Sequence, residues 1–532
     1  MEVHNDDVPT YHGETERSGD AMNARYDVIV IGSGIGGLAC AAALARFGKR
    51  VLVLEQHYVA GGFTHTFSRQ GYTWDVGVHY LGQMGPGQPG RQLLDWLTGG
   101  AVELASMGEV YDTALFPEEF RFDFRRPAKQ LASDLKRVFP ECHAEIDRWF
   151  AALRAMLPGL NAPFVLHAAP KLVQPLLAWL KRRGLRDWWG RTTAEVLAEY
   201  FPDPRLRALL AAQWGDYGGT PDRASFGMHA TIVHHYLDGG WYPAGGAAAF
   251  AEALIPVIEG AGGAVRVNAP VARITLERGR AVGVELADGT QHKARSVVSD
   301  AGARTTLTTL LPQDALEAPW GREVMQFQPS ISHVSLYLGF EGDIFAAGAS
   351  RSNTWIYHTW DHDRALWRDP FDQPEPPMLF VSFPSLKDPR HTGDKHTAEV
   401  ITWVSWDPYR GWEGTQHDQR PEDYEAYKDL VRRRLLEQFN RYFPRLAPMI
   451  RYDEISTPLS TLHFTRHERG AVYGLETTPA RFLSRALHVK TPVPGLYLSG
   501  QDVCTPGVMG AMAGGVLAAS AIDPRIFAKL PR

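Results

Sequence analysis

The stretch YDVIVIGSGIGGLACAAALARFGKRVLVLEQ, residues 26–56, constrains the fold more than any other part of the chain. The run Val28–Ile31 is apolar and β-branched, which reads as a buried strand. Gly32, Gly34 and Gly37 then form GxGxxG. An alanine-rich helix spans Ala39–Ala45, Gly48 ends it, and Val51–Leu54 reads as a second strand ending at Glu55. This is a βαβ unit. The first glycine allows the tight turn, the second lets backbone approach a pyrophosphate, and the third lets helix pack on strand. The phosphates would meet free N–H groups at the helix start. Glu55 stands where an acidic side chain takes ribose hydroxyls. The expected fold class is therefore α/β, with a Rossmann-type nucleotide-binding domain.

A chain of 532 residues exceeds one ordinary core, so two domains are expected. Net charge is −5, which gives no reason to expect nucleic acid as a partner. Cys40, Cys142 and Cys504 form no CxxC pair, which fits a reducing, cytoplasmic setting. No apolar run is long enough to span a bilayer. Residues 1–24 are polar and mixed in charge and read as a disordered tail. The region from Gly108 to Asp238 has mainly helical spacing, and alternating segments from Ser332 to Trp406 read as an antiparallel sheet.

Two features favour FAD over NAD. Gly61-Gly62 bring the chain back to the cofactor soon after Glu55. The late segment GLYLSGQDVCTPGVMGAMAGGVLAAS, 495–520, has a strand, Asp502, small residues and a helix start. GAGGAV, which begins at Gly260, follows a helix and so lacks the context of a second dinucleotide fold.

These pieces resemble the carotenoid desaturase and isomerase group of flavoproteins, and within it the retinol saturase branch. The resemblance rests on IGSGIGGL, VLEQHYVAGGFTHTFSRQGYTWDVGVHYLG, SFGMHATIVHHYLDGGWYPAGG, VSFPSLKDPRH, STPLSTLHFTRHERGAVYGLE and the 495–520 segment. It implies a glutathione-reductase-like FAD domain with an inserted mixed α+β substrate domain. The parts would be 25–105, 239–310 and 455–532 for FAD, and 106–238 and 311–454 for substrate. It also implies cofactor contacts at Gly32, Ser33, Gly34, Gly36 and Gly37 (pyrophosphate), Glu55 (ribose), Gly61 and Gly62, and Val271 (adenine). Asp502 would hold ribityl or phosphate oxygens, and Gly507, Val508 and Met509 the isoalloxazine ring.

The implied chemistry is redox or proton movement at a carbon–carbon double bond of an apolar polyene lipid. A saturase would draw electrons from NAD(P)H or a reductase partner. Redox-neutral isomerisation or hydration is the alternative, and a flavin-containing lipid carrier the reading from another class. His79 and Tyr80 are the first candidates for the proton donor, followed by His65 and Tyr242. All four also fit packed wall positions, and the sequence leaves both open. His234-His235 would point apart, so no metal is expected. Trp179, Trp188 and Trp189 beside Lys181, Arg182, Arg183 and Arg186 suit peripheral contact with an anionic membrane, or an ordinary packed helix.

Overall fold

The computed structural model describes residues 26–168 and 172–531. The expected tail 1–24 lies outside them. Its centre is a five-stranded parallel sheet in the order Leu496–Leu498, Ser296–Ser299, Val28–Ile31, Val51–Leu54, Ala264–Arg266. Val28–Ile31 pairs in parallel with strands on both sides, and all its residues are buried. That burial on both faces is why the strand is apolar without alternation. The helix Ile35–Ala45 packs against the helices Ala249–Gly260 and Val508–Ile522. An antiparallel meander, Val271–Glu277, Arg280–Leu286 and Gln291–Lys293, packs beside Ser296–Ser299.

The chain leaves this sheet after Leu54 and again after Ser299. Both excursions contribute to one seven-stranded sheet. Its order is Ile450–Ser456, Ser332–Glu341, Lys395–Val404, Met378–Ser382, Asn353–Tyr357, Val110–Phe116, Phe120–Arg125. The parallel pairing of Asn353–Tyr357 with Val110–Phe116 joins the two insertions. Side chains alternate between two cores. Trp355, Tyr357, Phe380 and Trp403 enter an aromatic one, and Ile356, Leu379, Val381 and Val400 pack on the side that also holds Val431 and Leu435 of the helix Glu422–Tyr442.

Two details depart from the sequence expectation. Within 108–238, the segment Val110–Arg125 is a β-hairpin with Glu118 and Glu119 at positive φ. Asp112, fully buried inside its first strand, interrupts the apolar pattern that would have announced it. The strand Ile450–Ser456 also crosses the expected boundary at 454.

The first and last helices touch backbone to backbone. A Cβ on Gly515 would lie 2.1 Å from the Gly36 carbonyl oxygen, and one on Gly514 2.1 Å from that of Gly500. A methyl group there must push the helices apart. Gly515→Ala should therefore destabilise the fold by about 1–3 kcal/mol. Thermal unfolding followed by circular dichroism would show a lowered midpoint; an unchanged midpoint would contradict this packing.

Candidate active site

The carboxyl ends of the parallel strands converge on one cavity, as open α/β sheets arrange their ligands. Gly32 (φ +94°) follows the first strand and Glu55 the second. The Ser33 N–H and hydroxyl donate to Glu55 Oε2 at 2.8 and 2.7 Å, and the His57 N–H donates to Oε1 at 2.8 Å. The Gly61 N–H donates to the Ser33 carbonyl at 3.1 Å, and a Cβ on Gly62 would lie 3.1 Å from Gly34 Cα. Glu55 thus ties the first glycine loop in place, and the loop carrying the glycine pair docks on it.

Asp300 ends the strand Ser296–Ser299 and reaches between three glycines. A Cβ on Gly34 would lie 2.9 Å from its Oδ2, and one on Gly36 or Gly500 2.5 Å from its Oδ1. That Oδ1 is buried with no hydrogen-bond partner. Burial pushes the Asp300 carboxyl up to about 7, and Glu55 and Asp502 add to the shift. Sequence reading missed this residue. Its place, one residue past a short parallel strand, gives no spacing by which the sequence could mark it.

The cavity measures about 870 Å³. Gly32, Gly34, Gly36, Glu55, Gly61, Gly62, Val271, Gly507 and Val508 line it together with Asp300. Neither the helix at Ile35 nor that at Val508 has a side-chain N-cap, so their first N–H groups remain for a ligand. Glycine walls, two uncapped helix starts and an unpartnered buried carboxyl oxygen fit a long dinucleotide such as FAD.

The remaining expected residues divide. Ser33 and Gly37 stand one layer behind the wall, and a Cβ on Gly37 would lie 2.2 Å from the Gly32 carbonyl oxygen. Met509 lies outside the wall, against the apolar core. Asp502 also lies outside it. Its oxygens accept from the backbone N–H groups of Ala303 at 2.8 Å and Leu475 at 3.1 Å, beside a small neighbouring pocket. His65 and His79 line the cavity. Tyr80 and Tyr242 do not, which corrects their reading as direct donors. Tyr242 is buried and donates to Asp75. Tyr80 stacks on Tyr236 with ring centroids 4.2 Å apart. His234 and His235 bond separately, to the Leu153 carbonyl and the Gly82 N–H.

Beyond the glycines the cavity is walled by Trp355, Phe380, Ile401, Trp403 and Tyr473, with His79, Asp216 and His333 among them. Behind this wall lies a buried polar cluster. Lys387 Nζ donates to the His79 carbonyl at 2.8 Å, to Ser382 Oγ at 2.7 Å and to Asn353 Oδ1. His79 Nδ1 lies 2.7 Å from Glu399 Oε2, a close contact without an aligned hydrogen bond. Burial lowers His79 to about 3 and Lys387 to about 7, and raises Glu399 to about 8. Burial also lowers His65 to about 4.

On the surface, the helix Gln174–Gly184 exposes Leu176, Trp179 and Leu180 to about 60 %, after Leu172 at 92 %. Trp189 is fully buried and the half-buried Trp188 packs on Phe226, so neither belongs to the exposed apolar face. Among the described residues, no helix is long and apolar enough to cross a membrane.

The family model for flavin containing amine oxidoreductases matches residues 35–523. All-trans-retinol 13,14-reductase of Danio rerio is 34 % identical over 93 % of this chain and 86 % of its own length. Prolycopene isomerase of Arabidopsis thaliana chloroplasts is 27 % identical over 96 % of this chain and 84 % of its own. Cyclohexylamine oxidase from Brevibacterium oxydans has a similar solved fold, with a TM-score of 0.59 at 20 % identity over 96 % of this chain and all of its own. The chain belongs to the flavin containing amine oxidoreductase family, on its retinol saturase and carotenoid isomerase side, and is an FAD-dependent oxidoreductase.

Proposed function

We propose that the chain acts on a carbon–carbon double bond of a long apolar polyene, retinoid or carotenoid-like, in the saturating or desaturating direction. The observation that carries this reading is the aromatic chamber continuous with the glycine-lined cavity. Trp355, Phe380 and Trp403 offer flat apolar walls to a conjugated chain. The named activities of the retinol reductase and prolycopene isomerase relatives support the same substrate class. The bound flavin supplies hydride chemistry at its N5. The chain's residues hold, orient and enclose.

In this reading Gly32, Ser33, Gly34, Gly36 and Gly37 form the pyrophosphate turn, Glu55 takes the ribose, and Val271 meets the adenine. Gly61 and Gly62 pass beside the cofactor, Gly507, Val508 and Met509 present backbone N–H groups to the ring while the Met509 side chain packs on the core, and Asp502 supports the ribityl side through the backbone it holds. His65 and His79 stand at the chamber as proton-handling candidates. Residues 25–105, 239–310 and 455–532 carry the cofactor, and 106–238 with 311–454 cover the substrate. Electrons for saturation come from NAD(P)H or a reductase partner. The enzyme works in the cytoplasm and meets anionic membranes through Leu172, Leu176, Trp179 and Leu180. Lys181, Arg182 and Arg183 lie beside them in sequence. The second reading, redox-neutral isomerisation, draws on the likeness to prolycopene isomerase over 96 % of this chain.

Dithionite-reduced enzyme mixed anaerobically with all-trans-retinol should regain oxidised flavin colour and yield a product two hydrogens heavier. A geometric isomer formed at constant mass would instead establish the second reading. No product from retinol or from poly-cis-lycopene would overturn both. Asp502→Ala would leave two buried N–H groups unpaired, at about 1–3 kcal/mol each. The FAD-to-protein absorbance ratio should drop sharply; full occupancy would remove Asp502 from the cofactor site. Leu176→Ser with Trp179→Ser removes side chains worth about 1.5–3 kcal/mol each when buried. Co-sedimentation with phosphatidylserine vesicles should fall about tenfold or more, and undiminished binding would rule out this surface.

A further inference from the structure

Asp216 closes the short 3₁₀ turn Ala212–Asp216 and lines the aromatic chamber. Behind it, Tyr80 Oη lies 2.8 Å from Asp216 Oδ2 and 2.9 Å from Asp112 Oδ2. A phenol has one hydrogen and can donate to one carboxylate. Two hydrogen bonds at this oxygen require a second hydrogen, and only a carboxyl can bring it. Asp112 already accepts from Gln213 Nε2 at 2.7 Å and Asn353 Nδ2 at 3.0 Å. Among the described residues, Asp216 has Tyr80 as its hydrogen-bond partner. The donors therefore mark Asp112 as the ionised member. The proton sits on Asp216, which donates to Tyr80, which donates to Asp112.

We propose that Asp216 is the general acid of this enzyme: a carboxyl held protonated at the chamber wall that delivers its proton to the substrate double bond. The proposal rests on the polyene reading above. In the saturating direction, one carbon gains a C–H bond from the hydride and its electron pair. The Asp216 O–H turns from Tyr80 into the chamber and breaks, and its proton bonds the other carbon through the former π pair. The two electrons come from the reduced flavin, and Asp216 is left as a carboxylate. The Tyr80 hydrogen can then turn from Asp112 to Asp216, while Gln213 and Asn353 keep Asp112 satisfied. This device stabilises the charge that the step creates.

The surroundings favour this proton over its rivals. Burial raises Asp216 well above an ordinary carboxyl, and the Asp112 charge adds to it. Asp112 rises to about 6, restrained by its three donors. His79 is neutral, with Nδ1 turned to Glu399. Lys387 is bonded to three acceptors and does not line the chamber.

The test uses FAD-loaded full-length protein. The infrared spectrum of wild type minus Asp216→Asn should contain a carboxylic-acid C=O stretch that shifts in D2O. Its absence from that difference overturns the proposal. This arm needs no substrate, so it stands or falls separately from the choice of polyene. With dithionite as reductant and all-trans-retinol as probe, Asp216→Asn should lower single-turnover product formation by about 10²–10⁴-fold. FAD content and the rate of flavin reduction by dithionite should hold. Unchanged turnover would demote Asp216 to a structural acid and overturn the proposal. Should Asp216→Asn fail to fold, Tyr80→Phe serves as the second variant. It removes the phenol oxygen that accepts from Asp216, so the acid stretch should move; an unmoved stretch is the opposing result.

Discussion

Everything at the cofactor edge depends on how closely the two ends of the chain approach each other. Gly36 sits in the first turn of the first helix, and Gly500, Gly514 and Gly515 belong to the last segment. Their backbones meet at separations that leave no room for a Cβ. The contact sets Gly500 beside Asp300 and brings the start of the helix Val508–Ile522 to the same cavity as Gly32. Without it, the cavity would lose the wall made by the last segment. This also accounts for the composition of that segment. Small residues are needed because two helices and a loop share one narrow space.

The parts legible in the sequence were the local ones. The strand Val28–Ile31, its glycine turn, the helix and Glu55 lie within some thirty residues, and each signals itself by run, spacing or type. Asp300 carried no such signal, because a lone aspartate after a short strand has no spacing to read. Asp502 was legible as an acid in the late glycine-rich segment, but not in its partners. The backbone it holds, at Ala303 and Leu475, lies far away in sequence. Tyr80 was singled out beside His79, yet on this irregular stretch the two side chains go different ways. His79 reaches the chamber, and Tyr80 stacks behind it on Tyr236. The acid chain that gives Tyr80 its importance joins residues 80, 112 and 216 through space, which no motif records.

A chamber built for an apolar chain would not ordinarily be backed by so many ionisable groups. Asp75, Asp112, Glu399 and Lys387 are all buried behind it or beside it. Each unpaired charge there would cost several kcal/mol. Asp75, Asp112 and Lys387 answer with hydrogen bonds, and burial favours neutral forms: it raises Asp75 to about 7 and Glu399 to about 8 while lowering Lys387 to about 7. Buried polar networks of this kind are costly unless every member is satisfied, so their presence in a core points to use rather than to stability.

The position of Asp216 follows from one more glycine. A Cβ on Gly215 would lie 2.6 Å from the Trp355 ring and 2.8 Å from Trp403 Nε1. Any side chain there would push the turn away from the tryptophans and take Asp216 out of the wall. The same two rings that give a polyene its flat apolar surface thus fix how far the acid can enter. Substrate shape and proton position are set by one piece of packing. A change in either tryptophan would therefore disturb both together, and neither property could be altered alone by reshaping that wall.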